Sequence, residues 1–126
     1  MKNGEVIYAD THAEFLHKAF GTDYKGWPKC TWRYDKDWVV WMVRFNKTDG
    51  GWTNTFVSDS RIKEENLNRI DSWDGKPIER SIDKKKIVIQ IENLGHTRRY
   101  TCRGRYIYDE KNSDPYTARY YDKYSD

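Results

Sequence analysis

Aromatic side chains limit the fold of this sequence more than any other feature, because they provide most of its large apolar surface. The chain of 126 residues contains six Trp, ten Tyr and four Phe, set among 23 Lys+Arg and 20 Asp+Glu. A disordered chain has few rings and a large net charge, whereas this chain has many rings and a net charge of +3. The sequence therefore predicts a folded protein, with residues 1–126 in a single domain and a core built mainly from rings.

Cysteine and histidine positions argue against a metal or a cofactor. Cys30 and Cys102 lie far apart, and His12, His17 and His96 have no partner at the spacing that metal ligands show. No apolar run approaches the ~20 residues of a spanning helix, and no leader resembles a signal peptide. We therefore expect a cytoplasmic protein with no cofactor and with two reduced, partly buried thiols, the alternative being one disulfide between them.

Local patterns predict seven strands and two helices. Alternation of apolar and polar residues, or a short apolar run, marks each strand. Thr11 and Glu14 fit a capping box for a helix over residues 12–20 that Gly21 ends, and a looser pattern predicts a second helix over residues 61–70. The predicted strands cover residues 4–9, 30–34, 38–45, 52–57, 86–92, 98–109 and 116–124.

Short turns between these strands favour antiparallel pairing. Asp49-Gly50-Gly51 is typical of a hairpin, which would place Trp41 and Trp52 on paired strands. The predicted fold class is α+β, with a largely antiparallel, strongly curved sheet or small open barrel and one or two short helices. We expect the strand over residues 116–124 to lie at a sheet edge, where it would favour a homo-oligomer.

Arginines on the long strand over residues 98–109 form the first candidate site. Alternation places Arg99, Arg103 and Arg105 on one face, with consecutive side chains on that face about 7 Å apart. Guanidinium groups bind phosphate and stack on bases, and Arg119 on the next strand would extend the patch. The alternative interpretation is a solvated basic face whose arginines pair with neighbouring carboxylates.

Tryptophans form the second candidate site. Single-stranded nucleic acids stack on such rings, but a chain with so few aliphatic residues also needs Trp in its core. Trp52, which opens a strand after a Gly-rich turn, is the ring that we expect to bind a ligand. No convergent acid–base pair is evident, so we predict no catalytic residue and no enzymatic activity.

Three segments resemble a small β-rich domain that accompanies nucleases in bacterial restriction systems and also occurs alone in mobile elements. These segments are Gly104-x-Tyr106-x-Tyr108 with Asn112-Ser113-Asp114-Pro115 and Arg119-x-Tyr121, then Trp52-x-Asn54, and the stretch from Ile62 to Leu67. The resemblance implies a role in conflict between phage and host, by sensing nucleic acid or by blocking a defence component. The sequence has no nuclease signature, so we expect this role to be binding without cutting.

The predicted function is a binding module for a nucleic acid or a phosphorylated nucleotide, with Arg99, Arg103, Arg105, Arg119 and Trp52 as ligand-binding residues. The alternative is an inhibitor encoded by a phage or another mobile element that docks on a host defence protein through its ring-rich surface. Tyr, Trp and Arg are enriched at protein interfaces as well, so composition does not separate the two. Salt dependence does, because phosphate contacts weaken steeply as salt rises.

Overall fold

A computed structural model of the chain describes residues 1–23, 30–49, 52–66, 82–114 and 117–125. Within these ranges the chain forms nine strands and one helix. In chain order the elements are β1 (Val6–Ala9), α1 (His12–Phe20), β2 (Thr31–Arg33), β3 (Val39–Val43), β4 (Thr48–Asp49), β5 (Trp52–Ser58), β6 (Arg61–Asn66), β7 (Lys85–Asn93), β8 (Arg98–Tyr108) and β9 (Ala118–Ser125).

Eight strands form one open mixed sheet in the order β2-β3-β7-β8-β9-β6-β5-β4, and β1 pairs with the first half of β8. β3 and β7 are parallel, and the other pairs are antiparallel. The predicted mostly-β sheet with a short helix is confirmed. The predicted strongly curved sheet or small open barrel is wrong, because the sheet is neither closed nor strongly curled. Its strands lie side by side in one open sheet, and neighbours such as β3 and β7 or β6 and β9 are not consecutive in the chain.

Helix α1 begins and ends where the sequence predicts. The Thr11 hydroxyl accepts a hydrogen bond from the Glu14 amide at 3.1 Å, and Gly21 ends the helix in the left-handed conformation with φ of 66°. The Glu14 carboxylate accepts from the Asp10 amide, one residue before the predicted partner. Phe15 and Leu16 are fully buried, so the helix covers one face of the sheet.

The predicted hairpin between residues 38–45 and 52–57 is wrong in its pairing. Trp52 pairs with Asp49 on the two-residue strand β4, whereas β3 pairs with β2 and β7. Gly50 and Gly51 of the predicted turn lie outside the described residues. All five residues of β3 are buried, so this apolar strand gains more from an interior place in the sheet than from a local partner.

The second predicted helix is a strand over its described part. β6 pairs with β5 and β9, and its burial alternates, with Ile62, Glu64 and Asn66 inward. Two of these three inward residues are polar, which hid the period of two from an apolar pattern. Residues 67–70 of the predicted helix lie outside the described part of the chain.

The last strand is interior and not at an edge. β9 lies between β8 and β6, so the predicted edge strand is wrong, and the argument for a homo-oligomer that rested on it no longer applies. An interior place pairs the backbone groups of β9 on both sides, which satisfies more of them than an edge position would.

Two buried clusters occupy opposite faces of β3 and β7. Val40 and Met42 pack with α1 in the first cluster, which we call the helix-side core. Trp41 and Val43 point the other way into the second cluster, the ring-side core, with Tyr106, Tyr108 and Tyr121. Rings thus supply much of the core, as their abundance predicts. In the described part of the chain, no helix is long and apolar enough to cross a membrane.

Candidate functional site

A cavity of about 480 Å³ lies beside the ring-side core, within the size range of ligand-binding pockets. β3, β5, β6 and β9 supply most of its polar and aromatic lining. The lining residues are His12, Cys30, Trp41, Met42, Val43, Arg44, Trp52, Asn54, Glu64, Ile91 and Arg119.

Two indole rings line this cavity from different strands. Trp41 is 3% exposed and belongs to the ring-side core, whereas Trp52 is half-buried at the start of β5. The Arg119 guanidinium covers the Trp52 ring, with 4.6 Å between its Cζ atom and the ring centroid. Such surfaces bind flat ligands by stacking.

Three polar side chains face the same space. Asn54 is 8% exposed and Glu64 is 9% exposed, and the Glu64 carboxylate lies 3.6 Å from the Arg119 guanidinium. The buried Asn54 Oδ1 atom has no hydrogen-bond partner among the described residues. An unpaired buried acceptor costs free energy, so this atom would gain from a hydrogen-bond donor.

Further polar groups lie behind the cavity. The Lys86 ammonium sits over the Trp41 ring at 4.0 Å from its centroid and over the Tyr121 ring at 4.4 Å. Burial lowers the pKa of Lys86, while Glu64 and Asp83 oppose that change. Burial raises the pKa of Tyr121 well above its ordinary range. The Lys86 ammonium thus covers one face of Trp41, a residue that lines the cavity.

Of the predicted ligand-binding residues, Trp52 and Arg119 are brought together in this cavity, and the other three are elsewhere. Arg99 forms a bidentate ion pair with Glu92. Arg103 donates to Gln90 and covers the Phe56 ring at 4.4 Å. Arg105 covers the Trp38 ring at 4.7 Å. Their predicted role as phosphate contacts stays a prediction.

The predicted common face of these three arginines is wrong because β8 contains a bulge. Cys102 pairs with Ile89 and Gly104 with Val88, so Arg103 is an extra residue on its strand. Gly104 has φ of 93°, which L side chains rarely adopt. Past this bulge the alternation reverses, and Arg105 lies opposite Ile87 of the helix-side core.

Sequence reasoning missed Trp41, Asn54 and Glu64 as cavity residues. One signal could have found Glu64. It lies two positions after the apolar residue Ile62, which places both side chains on the inward face of a strand. Neither cysteine forms a disulfide within the described residues, as predicted, and Cys102 is buried whereas Cys30 is exposed. No group of three or more metal-ligating side chains occurs within the described ranges.

Comparison with known proteins gives a fold likeness. No family model matches the chain, and no curated protein matches it. Among solved structures, the chain is similar to part of the 5-hydroxymethylcytosine-specific restriction enzyme AbaSI, with a TM-score of 0.68 and 20% sequence identity. The match covers 97% of this chain but 39% of that one. It confirms the predicted resemblance to a β-rich domain of restriction systems, and at this identity it shows the fold alone.

Proposed function

We propose that this protein binds DNA and holds one hydroxymethylated cytosine in the cavity between Trp41 and Trp52. The observation that carries the proposal is Asn54, which lines the cavity with Glu64 and Arg119 and whose buried Oδ1 atom has no hydrogen-bond partner among the described residues. The fold likeness to part of an enzyme specific for 5-hydroxymethylcytosine supports the choice of base.

The polar groups of the cavity suit the edge of cytosine. A carboxylate such as that of Glu64 accepts from the exocyclic amino group of this base. The Arg119 guanidinium supplies donors for the ring nitrogen and carbonyl acceptors. Asn54 adds an acceptor for the hydroxyl proton of a hydroxymethyl group, and thymine offers no amino group to Glu64.

A base inside a duplex cannot enter a cavity of this kind, so the proposal requires the nucleotide to rotate out of the stack. Trp41 and Trp52 would replace the stacking that the base loses, at ~1–3 kcal/mol for each ring. In this proposal the chain binds without cutting, as expected from the sequence.

The predicted alternative, an inhibitor that docks on a defence protein, remains a prediction with no residue of the cavity assigned to it. A role in conflict between phage and host is compatible with either function. Recognition of a modified base by this chain would mark or mask modified DNA.

The experiment uses a duplex with 2-aminopurine beside a single 5-hydroxymethylcytosine. Because 2-aminopurine fluoresces when its neighbour leaves the stack, we expect its emission to rise on binding and the matched cytosine duplex to respond less. Binding of the duplex with no change in emission would show that the base stays stacked, and the proposal would fail.

A further inference from the structure

A second group of cations borders the cavity on the side of α1. Arg44 follows β3 and lines the cavity, and Arg98 opens β8. Arg98 lies two residues from Tyr100 on the same face of β8, and the Tyr100 hydroxyl contacts His12, the first residue of α1, which lines the same cavity. Within the described ranges, neither arginine forms an ion pair with a carboxylate, in contrast to Arg99 beside Arg98.

Hydrogen bonding fixes how His12 faces this group. The Tyr100 hydroxyl lies 2.8 Å from His12 Nδ1 and interacts with the Arg98 side chain. In the neutral imidazole one ring nitrogen donates and the other accepts, whereas in the protonated imidazolium both nitrogens donate. When His12 is protonated beside a bound anion, Nε2 carries a hydrogen, and Tyr100 does not use this donor because it contacts Nδ1.

The charges around His12 favour its neutral form in the free protein. Burial lowers the pKa of His12 below its ordinary value, and Arg98 and Arg44 lower it further. Tyr100 faces it as a neutral hydroxyl, since burial raises the pKa of Tyr100. The nearest acid on α1, Glu14, is already engaged by Lys18 at 2.9 Å. A bound anion would reverse the effect of the two arginines.

We infer that Arg44, Arg98 and His12 form a phosphate-binding site at the rim of the cavity. The inference rests on the proposed function and deepens it, because the phosphate would belong to the strand whose base enters the cavity. The arginines supply charge-assisted contacts, and His12 Nε2 adds a donor. Phosphate contacts position a nucleic acid without reading its sequence, so this site contributes affinity while Asn54 and Glu64 discriminate the base.

Salt titration of DNA binding tests the site separately from base recognition. The probes are two short labelled duplexes, one with 5-hydroxymethylcytosine and one with cytosine. For Arg44→Gln and for Arg98→Gln we expect the slope of log affinity against log salt to fall by about 0.9 per lost phosphate contact. Affinity for both duplexes should fall about tenfold or more, with their ratio unchanged. Arg33→Gln, which removes an exposed cation paired with Asp83, is the matched control.

The outcomes distinguish the two claims. Slopes equal to that of the control would overturn the phosphate site, whatever the two duplexes show. Equal wild-type affinity for the two duplexes would instead refute base recognition, and a reduced slope in the arginine variants would still support the phosphate site.

A second measurement does not depend on DNA. The His12 imidazole is followed by NMR across pH in inorganic phosphate and in chloride of equal ionic strength, with exposed His17 on the same helix as the internal control. Phosphate should raise the pKa of His12 in the wild type and not in the Arg44→Gln Arg98→Gln variant, so affinity should increase as pH falls through that range. A His12 pKa that is equal in the two salts would overturn the site.

Discussion

Two basic regions of this protein differ in how their charges are used. The arginines of β8 already contact other side chains of the protein. Arg99 forms an ion pair with Glu92. Arg103 donates a hydrogen bond to Gln90 and covers the Phe56 ring, and Arg105 covers the Trp38 ring. In the cavity, Arg119 also has internal contacts, but it stands beside an acceptor that lacks a partner. A buried polar atom without a hydrogen-bond partner therefore indicates a binding site better than the number of cations on a strand does.

Loss of Arg119 is expected to have the largest effect. Its side chain is 11% exposed and that of Glu64 12%, so Arg119→Met leaves a buried carboxylate without its cation. We expect the free energy of unfolding to fall by about 3 kcal/mol, as measured by urea denaturation.

Addition of Glu64→Gln to Arg119→Met should restore part of that loss, because the unpaired charge is then gone. If stability does not recover in the double variant, Glu64 and Arg119 do not stabilise each other. The cavity would then not differ from the β8 row, by which we mean Arg99, Arg103 and Arg105.

Loss of the Trp52 ring should mainly affect binding. Trp52→Ala removes a stacking surface worth ~1–3 kcal/mol from a half-buried position at the start of β5. We expect DNA affinity to fall by that amount in an anisotropy titration, while Trp52→Phe keeps most of it. Equal affinities for the wild type and Trp52→Ala would exclude Trp52 from the binding surface.

The β8 row should show the smallest effect. Single changes of Arg99, Arg103 and Arg105 to Gln are expected to lower DNA affinity less than about fivefold, because each guanidinium already has a partner in the free protein. The same salt titration decides the matter. A slope reduced by about 0.9 for any of them would confirm the phosphate contact predicted from the sequence and erase the difference between the two regions.

Local signals in the sequence predicted local structure well. The Thr11 cap and the Gly21 stop define α1 to the residue, because capping depends on side chains a few positions away. The strand positions of β7 and β8 were also predicted to within two residues. These features need no knowledge of the rest of the chain.

Pairing across the chain was not predictable from the same patterns. β5 begins at Trp52 as predicted, but it pairs with β4 and not with the apolar strand β3. The parallel neighbour of β3 is β7, which lies more than forty residues away in the sequence. Glu64 and Asn66 look like helix surface in sequence and lie inward in β6. Among the site residues, Trp52 and Arg119 were predicted, whereas the bulge at Gly104 dispersed the arginines.

Discrimination of the modified base by Asn54 tests the central claim most directly. Affinities of the wild type, Asn54→Ala and Thr55→Ala are measured for duplexes with 5-hydroxymethylcytosine and with cytosine. Thr55 follows Asn54 in β5 and points to the opposite face, so its variant is the control. We expect the wild type and Thr55→Ala to prefer the modified duplex by about tenfold, which corresponds to one hydrogen bond to a buried acceptor. Asn54→Ala should bring that ratio close to one while still binding DNA. A preference that survives in Asn54→Ala, or a wild type that binds both duplexes equally, would contradict the account.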